Sequence, residues 1–358
     1  MAAELKALRA ESEAADPVVI AAGTLLKPGQ SGPELASIVK GVARHGSEAL
    51  KTEQAATIAA YRGTPEYTPE LVALVEAFQK EKGLKPDGVV GRATIRHLTG
   101  GDSVADKIFK VQVAMEQARW LPADLGSRYV FINQPAYMAY YHDKGDEQFS
   151  MRVVVGSKAN QTYFFQDEIQ TVEFNPYWGV PQSIIINEML PKLRSDPSYL
   201  DRLGYEVEVN GRPVSSTQID WSSTKGVAVR QPPGDDNALG DLKILFPNAH
   251  AIYMHDTPSK GYFKKDMRAL SHGCVRLSDP RRMAAAVLGT NVDDIGAQIA
   301  KGRNKAVSVP ERIPVYVSYF TAWPNKDGKI EFFEDVYGRD GYMRKAMEAT
   351  GAARQAQS

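Results

Sequence analysis

The 358-residue chain holds a single cysteine, Cys274. One cysteine cannot close an internal disulfide, so the thiol is either a small buried hydrophobe or a free reactive group. Charge of one sign is not in excess either: 43 Lys and Arg balance 43 Asp and Glu. Such a chain has no global field to attract a polyanion, and no nucleic-acid partner is expected. No run of about 18 apolar residues occurs, so no transmembrane segment is expected. The opening "MAAELKALRAESEAADP" lacks the apolar stretch and small-residue cleavage site of a signal peptide. It reads as a charged, alanine-rich helix or tail over residues 1–20. Internal repeats and low-complexity tracts are also missing. What remains, 43% hydrophobic and 24% charged, is ordinary for a folded protein, and the length asks for two or three domains.

Residues 21–100 have their own organisation. "LLKPGQSGPEL" is a Gly/Pro-marked loop that leads into the amphipathic "LASIVKGVARHG", stopped at Gly46. After a polar interval, "YTPELVALVEAFQKEKGL" repeats the format, with Thr68 as N-cap, Pro69 as first helical residue and Gly83 as stop. Leu71, Leu74, Val75 and Phe78 recur at helical spacing and give one apolar face. "KPDGVVGRATIRHL" then turns on glycine into a third helix. A small all-α, three-helix module is expected, followed by a connecting helix over 101–126.

From residue 127 the period changes to two. "YVFINQPAYMAYYHDKG", "QFSMRVVVGS", "IQTVEFNPYWGV", "YEVEVNG", "AHAIYMHDT" and "RIPVYVSYFTAW" are β-branched and aromatic runs bounded by turn residues. Only "MAAAVLG" and "IIINEMLPKLRSD" look helical among them. A mostly β, sandwich-like domain with a few helices and largely antiparallel strands is expected over 127–320. A C-terminal extension, 321–358, ends in "GAARQAQS", which has the look of a frayed end.

The cysteine lies in "SHGCVRL", directly after a glycine and two positions after a histidine. A thiol reacts as its thiolate, and an unassisted cysteine is mostly protonated at neutral pH, so a nucleophile here needs a base in space. Of six histidines, His45 and His97 belong to the helical module and His142 to an expected hairpin turn. His255 ends an apolar strand, and His272 is held near Cys274 by the chain itself. No His/Cys/Asp cluster has metal-site spacing, and no metal or cofactor is expected. "GDDNALG" lacks the strand, spacing and lysine of a phosphate-binding loop, so no nucleotide is implied.

Two resemblances organise these readings. Leu26, Pro28-Gly29, Phe78-Gln79, Gly83-Leu84, Asp87-Gly88, Gly91 and Thr94 fall in the order of a peptidoglycan-binding domain of type 1. "MHDTP", followed 19 positions after its histidine by the cysteine of "SHGCVRLSDP", is similar to the L,D-transpeptidase catalytic domain (YkuD type). "VVVGS", "FNPYWGVPQSI", "RQPPGDDNALGDLKILFPN" and "VYVSYFTAWPNKDGKIEFFEDVYGRD" extend that likeness to the large periplasmic Gram-negative members, over roughly residues 20–340.

The resemblance implies Cys274 as nucleophile and His255 as its base, oriented by a backbone carbonyl near Asp256. It implies an active-site loop of Ser271, His272 and Gly273, with the Gly273 and Cys274 amides as oxyanion donors. Arg276 is implied to bind a substrate carboxylate, with Tyr253, Trp178, Asn175 and Gly240 as walls. The implied partners are peptidoglycan stem peptides: a tetrapeptide donor and a diaminopimelate amine acceptor. The implied reaction joins two diaminopimelates through a cysteine thioester and releases D-alanine. Acylation by carbapenems and a periplasmic location, with the export segment absent from this chain, follow from the same likeness. Other acceptors, water or a lipoprotein lysine, fit the same thioester, and an inactive wall-binding scaffold is the alternative outside enzymology. No feature specifies an oligomeric state.

Overall fold

The computed structural model describes residues 1–14, 18–21, 23–100 and 104–357. The chain forms two compact units, Met1–Glu116 with Ala322–Phe332, and Gln117–Thr321 with Phe333–Ser358. Among the described residues no helix is long and apolar enough to cross a membrane.

The first unit is mostly helical; its C-terminal piece forms a two-stranded antiparallel sheet, Ala322–Pro324 with Ile330–Phe332. Helices Leu35–His45, Pro69–Glu81 and Arg92–Leu98 are those expected from periodicity. Pro69 occupies the first turn behind Thr68, and Gly46 closes the earlier helix. Two short helices, Glu48–Glu53 and Ala55–Ala60, fill the polar interval. Ser47 explains the first of them, because its hydroxyl accepts the Leu50 N–H and Leu50 is buried. Leu35, Ile38, Val42, Leu74, Phe78 and Leu98 form the centre of this core. Gln79 is buried beside it and fully used: its amide donates to Thr94 Oγ1 and the Val89 carbonyl, and its oxygen accepts from Asp87 and Gly88 N–H. Of the stretch expected to connect the domains, Val104–Ala118 is helical and residues 101–103 lie outside the described residues. Likewise Ala2–Ala14 is helical at the start, and 15–17 lie outside.

The second unit is built on one nine-stranded sheet. Its order is Ala269–Ser271, Asp146–Gly156, Val275–Leu277, Met254–His255, Leu242–Leu245, Phe165–Phe174, Lys305–Ser318, Tyr129–Asn133, Met138–Asp143. The long strand Asp146–Gly156 pairs along its first part with Met138–Asp143 and near its end with Val275–Leu277. The ladder therefore returns on itself around a core that includes Val153, Ile169, Val172, Ile244, Met254 and Val275. Helices Pro280–Leu288 and Val292–Ile299 add Met283, Val287 and Ile295 to that core. Most pairs are antiparallel, yet Met254–His255 and Val275–Leu277 run parallel.

An insert separates Phe165–Phe174 from Leu242–Leu245. It has a four-stranded sheet, ordered Trp178–Gly179, Val227–Gln231, Glu206–Val209, Arg212–Val214, and a core of its own around Ile185, Leu193, Leu200, Trp221 and Val229. The "IIINEMLPKLRSD" stretch is helical as expected, with a π-helical turn at Ile185–Met189. The chain end differs from its expectation: Arg339–Gln357 is a helix. Its alanines, arginines and glutamines are good helix formers, which outweighs their polar look.

Candidate active site

Two short strands carry the candidate residues. In the first, Ile252 and Met254 are buried in the core and alternate with Tyr253 and His255. In the second, Val275 and Leu277 are fully buried and alternate with Cys274 and Arg276. Successive side chains of a strand point to opposite faces. The parallel register sets Met254 against Val275 and His255 against Arg276, and the Val275 N–H donates to the Tyr253 carbonyl at 3.0 Å. Core residues thus meet core residues. Tyr253, His255, Cys274 and Arg276 are gathered on the other face, and a one-residue slip would send them into the core.

His255 sits in a row of cations. Lys243 lies opposite it on one side and Arg276 on the other. The row is partly balanced further out, where Lys243 pairs with Glu173 at 2.8 Å. The imidazole is buried, and its Nδ1 hydrogen-bonds to the Asp256 carbonyl. That carbonyl can only accept, so Nδ1 carries the proton and Nε2 keeps its lone pair. Burial first, then Arg276, with Lys243 and Lys260 adding, push the imidazole pKa down to about 3 against the opposing pull of the Asp256 carbonyl. The ring is neutral across physiological pH.

Asp256 is itself fastened. Its carboxylate accepts from the Thr257 N–H at 2.7 Å, the Asp241 N–H at 3.0 Å and the Lys260 ammonium. Gly240 packs directly on it: a Cβ there would lie 2.5 Å from the Asp256 carboxyl carbon, and the backbone has φ +59°. Only glycine fits that approach. Gly240 therefore supports the residue that orients His255.

Cys274 is partly exposed. Its Sγ lies 3.7 Å from the Ala251 carbonyl, and Tyr253 lies near enough to favour ionisation of the thiol. The Tyr253 ring also stands edge-on to the His255 ring, with centroids 5.7 Å apart. Burial raises the thiol pKa above its ordinary value, against the opposing effects of Tyr253 and Arg276. Burial, with Cys274 adding, also raises the Tyr253 hydroxyl, which therefore stays protonated. At neutral pH the resting pair is thiol and imidazole, not thiolate and imidazolium.

The turn before the cysteine is latched from within. Ser271 is buried, and its hydroxyl donates to the Cys274 carbonyl at 2.6 Å while accepting the Gly273 N–H at 3.1 Å. Gly273 has φ +116°, a region that side-chain-bearing residues avoid. The Gly273 N–H is thus engaged, while the Cys274 N–H meets no acceptor among the described residues. Arg276 is similarly uncommitted. Its Nε is buried without a hydrogen-bond partner, and its guanidinium rests 5.6 Å over the Tyr262 ring without a facing carboxylate among the described residues.

A thiol, a neutral imidazole with a fixed tautomer, a free amide and an unpaired guanidinium on one face are the parts of an acyl-transfer site. The family model described as "L,D-transpeptidase catalytic domain" matches residues 127–309, just over half of the chain. The chain belongs to the L,D-transpeptidase family. A second model, described as "Putative peptidoglycan binding domain", matches residues 59–98.

A protein named "Putative L,D-transpeptidase" from Haemophilus influenzae is 34% identical over 224 residues, which cover 61% of this chain and 45% of that one. The match thus spans under half of that relative's length. Two solved structures resemble this L,D-transpeptidase-family chain. One is an L,D-transpeptidase from Xylanimonas cellulosilytica, at 15% identity over 83% of this chain and 99% of that one, with TM-score 0.23. The other is an Enterococcus faecium L,D-transpeptidase catalytic domain acylated by ertapenem, at 11% identity over 55% of this chain and 100% of that one, with TM-score 0.27.

The remaining residues expected at the site of this family member have other engagements. Asn175 ends a strand at φ +44°, and its amide donates to the Ile299 carbonyl at 3.0 Å and the Arg303 carbonyl at 3.3 Å. Its side chain braces the loop after a helix. Trp178 pairs with Gln231 in the insert and packs its ring on the insert's core. His272 projects outward, and its Nε2 lies 2.8 Å from Glu188 Oε1. Sequence reasoning passed over Glu188, Thr162, Lys243 and Asp256's carboxylate. The "MHDTP" run flags Asp256; the others carry no local signal, because their partners are about 80 to 110 residues away or across a ladder.

Proposed function

We propose that this chain is a peptidoglycan L,D-transpeptidase that joins two diaminopimelate residues through a thioester on Cys274. The observation that carries the reading is the parallel register, which aligns the only thiol and the tautomer-fixed His255 on one face. In the first half-reaction His255 Nε2 takes the thiol proton as Sγ attacks the carbonyl at the L-centre of diaminopimelate in a tetrapeptide stem. The S–C bond forms, and the carbonyl π pair moves onto oxygen, opposite the free Cys274 N–H. On collapse the C–N bond breaks, His255 returns its proton to the departing amine, and D-alanine leaves.

In the second half-reaction the side-chain amine of another diaminopimelate attacks the thioester. His255 removes its proton, and the proton passes to the departing sulfur. Arg276 is suited to a donor carboxylate because its guanidinium faces no carboxylate among the described residues and its Nε is buried without a hydrogen-bond partner. A resting neutral pair suits the chemistry, since proton transfer concerted with attack needs no preformed ion pair. The helical unit would hold the enzyme on its polymeric substrate and raise local concentration. A murein substrate supports a location outside the cytoplasm, and the likeness to the large periplasmic Gram-negative members supports the periplasm.

Digestion and mass analysis of products from tetrapeptide-rich murein test this. Dimers joined through two diaminopimelates are expected. Tripeptides alone would replace the acceptor amine with water, and a lipoprotein-linked product would replace it with a lysine. Unchanged murein would leave a wall-binding scaffold.

A further inference from the structure

Thr162 is a fully buried polar residue beneath the nucleophile turn. Its hydroxyl accepts the Gly156 N–H at 2.9 Å and donates to the Gly273 carbonyl at 2.7 Å. The Gly273 carbonyl and the Cys274 N–H belong to one peptide unit, which is planar, and no peptide among the described residues is cis. In a trans peptide the C=O and N–H point in opposite directions. A hydroxyl that grips the carbonyl from the buried side therefore aims the N–H to the other side. That N–H meets no acceptor among the described residues, whereas the Gly273 N–H is taken by Ser271 Oγ.

The loop bearing Thr162 is in turn held by a segment C-terminal to the family match of 127–309. Arg339 donates to the Thr162 carbonyl at 2.9 Å and to Gln161 Oε1 at 3.1 Å. Tyr337 donates its hydroxyl to the Gly156 carbonyl at 2.6 Å. The Arg339 guanidinium lies 4.8 Å from the Tyr319 ring and 5.1 Å from the Tyr337 ring, which stack on each other at 5.4 Å. Asp335 fixes the segment by accepting the Arg339 N–H at 2.8 Å and the Asp340 N–H at 3.0 Å.

We infer that Thr162 is a positioning residue for the oxyanion donor, acting through the Gly273–Cys274 peptide plane, with Tyr337 and Arg339 bracing it from the C-terminal segment. This rests on the thioester reading of Cys274. The donor is worth most when its N–H meets the oxyanion head-on, so the hydroxyl contributes to acylation and not to thiol reactivity as such.

Two reagents separate those quantities. Iodoacetamide alkylates a thiolate by displacement and develops no oxyanion. Imipenem acylates it through a tetrahedral oxyanion. In Thr162→Val the imipenem rate is expected to fall about 10- to 100-fold, while the iodoacetamide rate stays near that of the unmutated protein. Thr162→Ser, which keeps the hydroxyl, should restore most of the imipenem rate. Should the valine variant not fold, Tyr337→Phe gives the same comparison with Thr162 intact, and a smaller selective loss is expected.

Equal losses with both reagents, or an unchanged imipenem rate in a folded valine variant, would overturn the inference. An unmutated protein that takes iodoacetamide but never imipenem would instead bring down the thioester reading beneath it.

Discussion

His255 faces Arg276 directly across a parallel pair of two-residue contact. The guanidinium lowers both the imidazole and the thiol pKa, so it favours a neutral imidazole while easing ionisation of the thiol. Arg276→Gln should therefore raise the apparent pKa of both groups. Donors with a free terminal carboxylate should also lose about 10-fold or more in kcat/KM, while iodoacetamide alkylation shifts to higher pH. A pH profile of alkylation and a comparison of free-acid with amidated donors check the two effects separately.

The neutral resting pair has a signature of its own. Burial raises the Cys274 pKa and drops that of His255, so there is no neutral-pH plateau of preformed thiolate. Iodoacetamide alkylation of the unmutated protein should climb through pH 7 to 9 without levelling. A plateau already present at pH 6 would mean an ion pair in place of thiol and imidazole.

Stability should depend on pH through His255. Its folded pKa is about 3, against 6.5 for an unperturbed histidine, so between those values the unfolded chain binds more protons. The contribution is present in full above pH 6.5 and is lost as pH falls toward 3. The slope from this one group is at most about 1.4 kcal/mol per pH unit. His255→Gln should flatten the acid side of a urea-melt series between pH 6.5 and 4; an unchanged slope would show that His255 does not drive it.

Gly240→Ala should cost about 1 to 3 kcal/mol, because a left-handed backbone and a Cβ against the Asp256 carboxyl add strain. Asp256 carries the carbonyl that orients His255, so acylation should slow more than the stability loss explains. By contrast, Glu188→Ala should change the melting temperature little. The His272–Glu188 pair is about half exposed on both sides, and such pairs contribute about 0 to 1 kcal/mol.

Much of this site is readable from residue order alone. Period-two alternation in "AIYMHDT" and "CVRL" predicts which side chains share a face, and helical spacing predicts Pro69–Glu81. Parallel pairing of the strands that carry His255 and Arg276 is not written locally, since it depends on which edge each strand finds. Asn175 illustrates the limit. Its place beside "PYWG" suggests a wall of the site, yet its amide is spent on the carbonyls of Ile299 and Arg303, 124 and 128 residues away. Thr162 fails in the opposite sense: an ordinary threonine in a loop becomes a buried hinge pin only when Gly273 arrives above it.

Whole-protein mass after incubation with imipenem tests the central claim most directly. Opening the strained ring expels no leaving group, so a working Cys274 should gain the full mass of the drug. No gain is expected in Cys274→Ala, and a much slower one in His255→Gln. An unmodified wild-type protein, or an adduct that persists in Cys274→Ala, would contradict it.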